Sequence, residues 1–220
     1  VHGLTAPAIR IICAPLPVAG SRFVAPPHAE AISWYGPLAA IEAAASTTPP
    51  VALEIDPLAA ASRQRLRDLI RATRQACPNI DAAIVSGDAA PPHRDLLAEE
   101  GIRVVLTSHF SDSGRPRRPT PTGWPCRNAQ WGLWEVLRHT GPRWQLFRRN
   151  LPRARRGTLA AIDLGAYPAA ARDRQLAAAL HRLSRQAAKG QVSLATLADL
   201  PHLVTGQASR PGPASILKAA

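Results

Sequence analysis

Short apolar runs alternate with helical stretches along most of this chain, and the runs are continuous rather than alternating. That pattern is the strongest constraint on its fold. A strand that is apolar on both faces must be covered on both sides, which favours parallel strands joined by helices. The runs fall at 10–14, 31–35, 51–55, 80–85, 102–107, 131–136, 158–164 and 192–196. The segment 102–107 is the clearest, β-branched and bounded on both sides.

The connections carry helix signals. Asp56-Pro57 supplies an N-cap and a proline at the first helical position. The helix expected beyond it sets Leu66, Leu69, Ile70 and Thr73 on one face, with arginines opposite, and stops at Cys77-Pro78. A second helix is expected from Pro92 to Gly101, a basic one over 143–156, and the longest from Pro168 to Lys189, ended by Gly190. The expected fold is α/β: a distorted (β/α)7-type barrel with mostly parallel strands. A single domain is expected over 1–206, with a loose tail over 207–220.

A length of 220 residues with 46% apolar content suffices for one substantial core. No apolar run reaches the roughly 20 residues that span a bilayer, and no signal peptide is visible, so a cytoplasmic location is expected. The residues do not speak to what lies upstream of Val1. Cys13, Cys77 and Cys126 are far apart and odd in number, which argues against a disulfide framework, and none stands at zinc-ligand spacing. The formal net charge is +12, yet the basic residues are spread along the chain, with one denser stretch at Arg115, Arg117 and Arg118. With no RNA-binding aromatic signature or zinc-finger spacing, nucleic acid is not the expected partner, and polyanion binding through that loop is the weakest reading. A phosphate-binding Gly-rich loop with Lys, a dinucleotide fingerprint and a Gly-x-Ser-x-Gly elbow are all missing.

In barrels of this kind the chemistry sits where strands end and loops begin. Asp163 and His109 follow expected strands there, and Glu135 lies in the 131–136 run; these are the candidate catalytic residues. Each has an ordinary alternative: Asp163 as a turn cap, His109 as a lone surface imidazole, Glu135 as a strand carboxylate. Glu54 lies within a strand and, if it faces the interior, needs a partner. Asp56 is explained as a helix cap. Trp34, Tyr35 and Trp131 are the candidate sugar-stacking residues, with core packing as the competing use.

Three segments carry a resemblance. They are Asp95-Leu-Leu-Ala-Glu-Glu-Gly-Ile-Arg-Val-Val-Leu106, Trp131-Gly-Leu-Trp-Glu-Val136 after a proline-rich basic loop, and the Asp163 strand followed by a long helix and Gly190-Gln-Val-Ser-Leu-Ala-Thr-Leu-Ala198. In order and wording they resemble the polysaccharide-deacetylase-like (NodB homology) superfamily, in a divergent, uncharacterised bacterial branch. The resemblance implies an incomplete (β/α) barrel and, in active members, a divalent metal such as zinc that activates water to remove acetyl groups from sugars. The paired aspartates of that family have no counterpart after the first strand, which ends in Ala14-Pro-Leu-Pro17, and no histidine follows the third, at Asp56-Pro-Leu-Ala-Ala-Ala61. The expected function is therefore a deacetylase-like barrel without the metal site, needing no cofactor and binding a glycan or a protein partner. The alternative is a deacetylase or other hydrolase acting on acetylated sugars through a non-standard site.

Overall fold

The computed structural model describes residues 7–16, 29–44, 51–87, 91–108, 126–127, 131–139, 155–165 and 169–208. β1 (Ala8–Pro15) is the hub of the sheet. One edge pairs in parallel with β8 (Leu159–Asp163) from Ile9 to Cys13. The other edge is shared: Ala8 to Ile11 pair with β9 (Val192–Ala195), and Ile12 to Pro15 pair with β2 (Ile32–Gly36). From β2 the sheet runs through β3 (Val51–Ile55), β4 (Ala82–Val85), β5 (Val104–Thr107) and β7 (Trp134–His139) back to β8. The result is a closed seven-stranded barrel, parallel throughout, with β9 wedged beside the first half of β1. A short β6 (Cys126–Arg127) adds an antiparallel pairing to β7.

Alternation along each strand divides the apolar residues into two cores. Ile9, Ile11, Ile84, Leu106, Val136 and Ala161 belong to the cluster inside the barrel. Ile12, Leu53, Val85 and Val105 belong to the other, where the sheet meets the helices. Those helices are α1 (Leu38–Ala44), α2 (Pro57–Ala60), α3 (Arg63–Ala76), α4 (Arg94–Glu99) and α5 (Ala169–Ala188). Ile41, Leu66, Ile70, Leu96, Leu180 and Leu183 are their contributions. A last helix, α6 (Leu200–Ala208), packs Leu200, Leu203 and Val204 on the interior cluster. His202 of this helix lies in electrostatic reach of Asp81, just before β4. The helix therefore closes the N-terminal end of the barrel, and the C-terminal ends of the strands form the mouth.

Several sequence expectations shift. The sixth run, expected as a strand over 131–136, becomes β7 three residues later, because Gly132 adopts φ +70 and turns the chain first. The helix expected from Asp56 to Cys77 is two helices: Asp56 caps α2 by accepting from Ala59 N at 2.7 Å, and Ser62 caps α3. Gly101 and Gly190 both take positive φ as helix stops, at +71 and +65. The α6 helix was not anticipated, since its apolar residues are few. The basic helix expected over 143–156 falls mostly outside the described residues, as does the Arg115, Arg117 and Arg118 loop. The arginines of α3 are not simply solvated: Arg63 pairs with Asp95, Arg67 with Glu99 at 3.3 Å, and Arg71 with Glu100 at 3.0 Å. Part of the positive charge is thus matched locally.

Candidate functional site

Each barrel strand alternates, so a residue two places beyond an interior apolar one also faces inward. Continuing the interior faces toward the mouth gives Cys13 after Ile11, Tyr35 after Ser33, Glu54 after Ala52 and Ser86 after Ile84. Ser108 follows Leu106, Arg138 follows Val136 and Asp163 follows Ala161. The apolar floor therefore ends in a ring that is polar on nearly every strand.

Hydrogen bonds tie this ring together. Tyr35 Oη donates to Asp163 Oδ1 at 2.8 Å, and the Gly165 N–H donates to the same oxygen at 2.8 Å. The Arg138 guanidinium approaches Asp163 Oδ2 at 3.5 Å. Its Nε donates to Ser108 Oγ at 2.7 Å, and its Nη2 donates to the Gly87 carbonyl. Arg138 thus bridges the ends of β4, β5, β7 and β8. Next to Gly87, Ser86 Oγ donates to Glu54 Oε1 at 2.5 Å.

The electrostatics follow from burial. Asp163 is 5% exposed and Tyr35 6%. Burial, the charge of Asp163 and the hydrogen bond to it push the Tyr35 phenol far up, with smaller contributions from Cys13 and Glu54. Burial, helped by Asp163, also raises the Cys13 thiol well above its ordinary value. Both groups keep their protons, so Tyr35 is a fixed donor and Cys13 an inert wall. The charged members are Arg138, Asp163 and Glu54. Such an arrangement offers fixed donors and acceptors to a hydroxyl-rich ligand, because its groups are oriented before the ligand arrives.

The sequence candidates scatter. Asp163 and Tyr35 are brought together in one hydrogen bond. Glu54 does face inward, and Ser86 is its partner. Glu135 lies on the opposite face of β7, where Arg94 Nε donates to its Oε1 at 2.7 Å between the sheet and α4. Trp34 is buried in the sheet–helix core, 3% exposed, rather than in the mouth. Trp131 is 39% exposed but precedes β7, at the end of the barrel opposite the mouth. His109 lies outside the described residues. Sequence reasoning missed Arg138, Ser86, Ser108 and Gly165. The signal for Arg138 was its even-number alternation with Trp134 and Val136, hidden by starting the strand three residues early.

A divalent ion, as the deacetylase resemblance implies, needs at least three donors in mutual reach. Among the described residues no group of three His, Cys, Asp or Glu side chains is placed to hold one. Asp163, the best-placed carboxylate, already accepts two hydrogen bonds and is ion-paired with Arg138. The described mouth therefore does not fit that metal. Among the described residues, too, no helix is long and apolar enough to cross a membrane.

No protein-family model matches the chain, and no curated protein matches it in sequence. A solved structure, the 4-alpha-glucanotransferase from Thermococcus litoralis, is similar in fold. The TM-score is 0.50 at 12% identity, over 89% of this chain. The chain corresponds to only 38% of that enzyme's length. At such identity the likeness carries the barrel and nothing finer.

Proposed function

We propose that this protein binds a carbohydrate in the mouth of its barrel, as a deacetylase-like scaffold that works without the divalent-ion site. The observation that carries the reading is the polar ring of Tyr35, Glu54, Ser86, Ser108, Arg138 and Asp163 on an apolar floor. Sugars present many hydroxyls that both donate and accept, and a rigid mixed ring of carboxylate, guanidinium and hydroxyl groups answers both. The fold likeness to a 4-alpha-glucanotransferase supports a carbohydrate ligand by analogy.

Calorimetric titration with chitotetraose, acetylated xylotetraose and cellotetraose tests the reading. At least one member should bind the wild type. Arg138→Ala, which frees Asp163, Ser108 and the Gly87 carbonyl at once, should weaken that binding by about tenfold or more, the equivalent of roughly 1.4 kcal/mol. Failure of every sugar to bind a folded protein would remove the proposal.

Hydrolysis of acetylated sugars at the same mouth is a second reading. It is favoured by the placement of two carboxylates, Asp163 and Glu54, within electrostatic reach of one phenol, since sugar hydrolysis commonly employs a carboxyl pair. Release of acetate or cleaved sugar by the wild type, lost in Glu54→Gln, would select it.

A further inference from the structure

The charges of the mouth do not balance among the described residues. Asp163 has Arg138 beside it at 3.5 Å, together with two neutral donors, so its charge is met. Cys13 and Tyr35 stay neutral, since burial holds the proton on each. Glu54 has no such match. It is half-buried on β3, faces inward beside Tyr35, and takes a single neutral donor, the Ser86 hydroxyl at 2.5 Å on Oε1. Its second oxygen has no hydrogen-bond partner among the described residues. Asp56, two residues on, adds a further negative charge near the rim, where its side chain caps α2.

We infer that Glu54 forms a subsite for a protonated amine on the sugar, so that the mouth prefers amino sugars over their N-acetylated or neutral counterparts. The inference rests on the carbohydrate reading above and names the class of sugar. A half-buried carboxylate held by one neutral hydrogen bond gains more from an ammonium group than from a hydroxyl. A uronic acid, by contrast, would bring a second anion against it. The overall charge of +12 repels cations at long range, but screening limits that field to about 8 Å at physiological ionic strength. The contact at Glu54 is shorter than that, so the local group decides the preference.

The test is titration at pH 6 with a glucosamine tetramer, its fully N-acetylated form, cellotetraose and tetralysine, using the wild type, Glu54→Gln and Ser86→Ala. The wild type should bind the glucosamine tetramer at least about tenfold tighter than the acetylated one, the range expected for a hydrogen bond to a charged group. In Glu54→Gln that ratio should collapse to within about twofold, beyond whatever loss of cellotetraose binding the change in the ring itself brings, and Ser86→Ala, which weakens the amine and acetylated forms alike, should keep the ratio because the charge remains. A thermal melt of each variant establishes that it is folded. Three outcomes overturn the inference: equal binding of amine and acetylated forms by the wild type, a preference that survives Glu54→Gln, or tetralysine binding as tightly as the amino sugar. The last would mean that the site reads charge alone. Binding of neutral sugars without an amine preference leaves the carbohydrate reading standing. Absence of all sugar binding sinks both.

Discussion

Gly165 is the position where a single atom should disrupt the mouth. A Cβ at this residue would overlap the Tyr35 hydroxyl and stand 3.1 Å from Asp163 Oδ1. Gly165→Ala must therefore push Tyr35 off Asp163. The cost has two parts. Inserting a methyl group into a packed site costs about 1–3 kcal/mol. Losing a buried hydrogen bond to a charged acceptor costs about 1.5–3 kcal/mol more. The sum is about 2.5–6 kcal/mol, or a fall in Tm of roughly 5–24 °C for a chain of this size. Tyr35→Phe removes the hydroxyl but keeps the ring, and should cost only the second part. With the hydroxyl gone, the inserted Cβ meets Tyr35 Cζ at 3.2 Å, which a small ring shift relieves. The double variant should then be no less stable than Gly165→Ala alone, and nearer to Tyr35→Phe. Urea unfolding of the four proteins, read as midpoints at constant slope, measures this coupling. Additive losses would refute the reasoning, because they would mean that Gly165 and Tyr35 do not share the space in front of Asp163.

Four further outcomes follow from buried groups. Arg94→Met should destabilise the protein by about 3–5 kcal/mol by leaving Glu135 buried without its cation, and adding Glu135→Leu should recover much of the loss; chemical denaturation of the single and double variants checks it. Leu200→Ala, at the floor of the barrel, should cost about 2–5 kcal/mol if α6 is part of the core, whereas a change below about 0.5 kcal/mol would detach that helix from the interior. Cys13 should resist thiol reagents at pH 8 in the native protein and react once urea unfolds it. The same burial predicts alkaline weakening. Folded Cys13 and Tyr35 hold protons that the unfolded chain releases above ordinary values of 9.0 and 10.0. The unfolded state then binds fewer protons, so stability should be unaffected by these groups below pH 9 and should fall as the pH rises beyond it. The Cys13→Ala, Tyr35→Phe double variant should flatten that decline.

The barrel was legible because its information is local and redundant. Continuous apolar strands such as 102–107 require cover on both faces, and caps such as Asp56, Gly101 and Gly190 mark where helices start and stop. The mouth was half legible. Asp163 ends a plain apolar strand, so its place followed from that strand, and Glu54 was recognisable as a carboxylate in need of a partner. Arg138 was missed because a site residue depends on strand register, and Gly132 delays β7 by a turn that composition does not reveal. The same boundary error set Glu135 near the C-terminal end of its strand, whereas it is the second residue of β7 and lies on the helix-facing side. Trp34 illustrates the same limit: aromatic character says that a residue seeks burial, while register alone says on which side of the sheet. Contacts such as Arg138 with Gly87, joining β7 to the end of β4, are set by closure of the barrel and have no signature in the chain.

The location of the ligand is the claim on which the account turns. Titration of isotopically labelled protein with a chito-oligosaccharide, followed by backbone and arginine side-chain NMR shifts, reads it directly. Saturable shifts concentrated at Tyr35, Glu54, Ser86, Arg138 and Gly165 are expected. Shifts gathered instead around Trp131 and α6, at the closed end of the barrel, would contradict that claim, as would a spectrum that the sugar leaves unchanged.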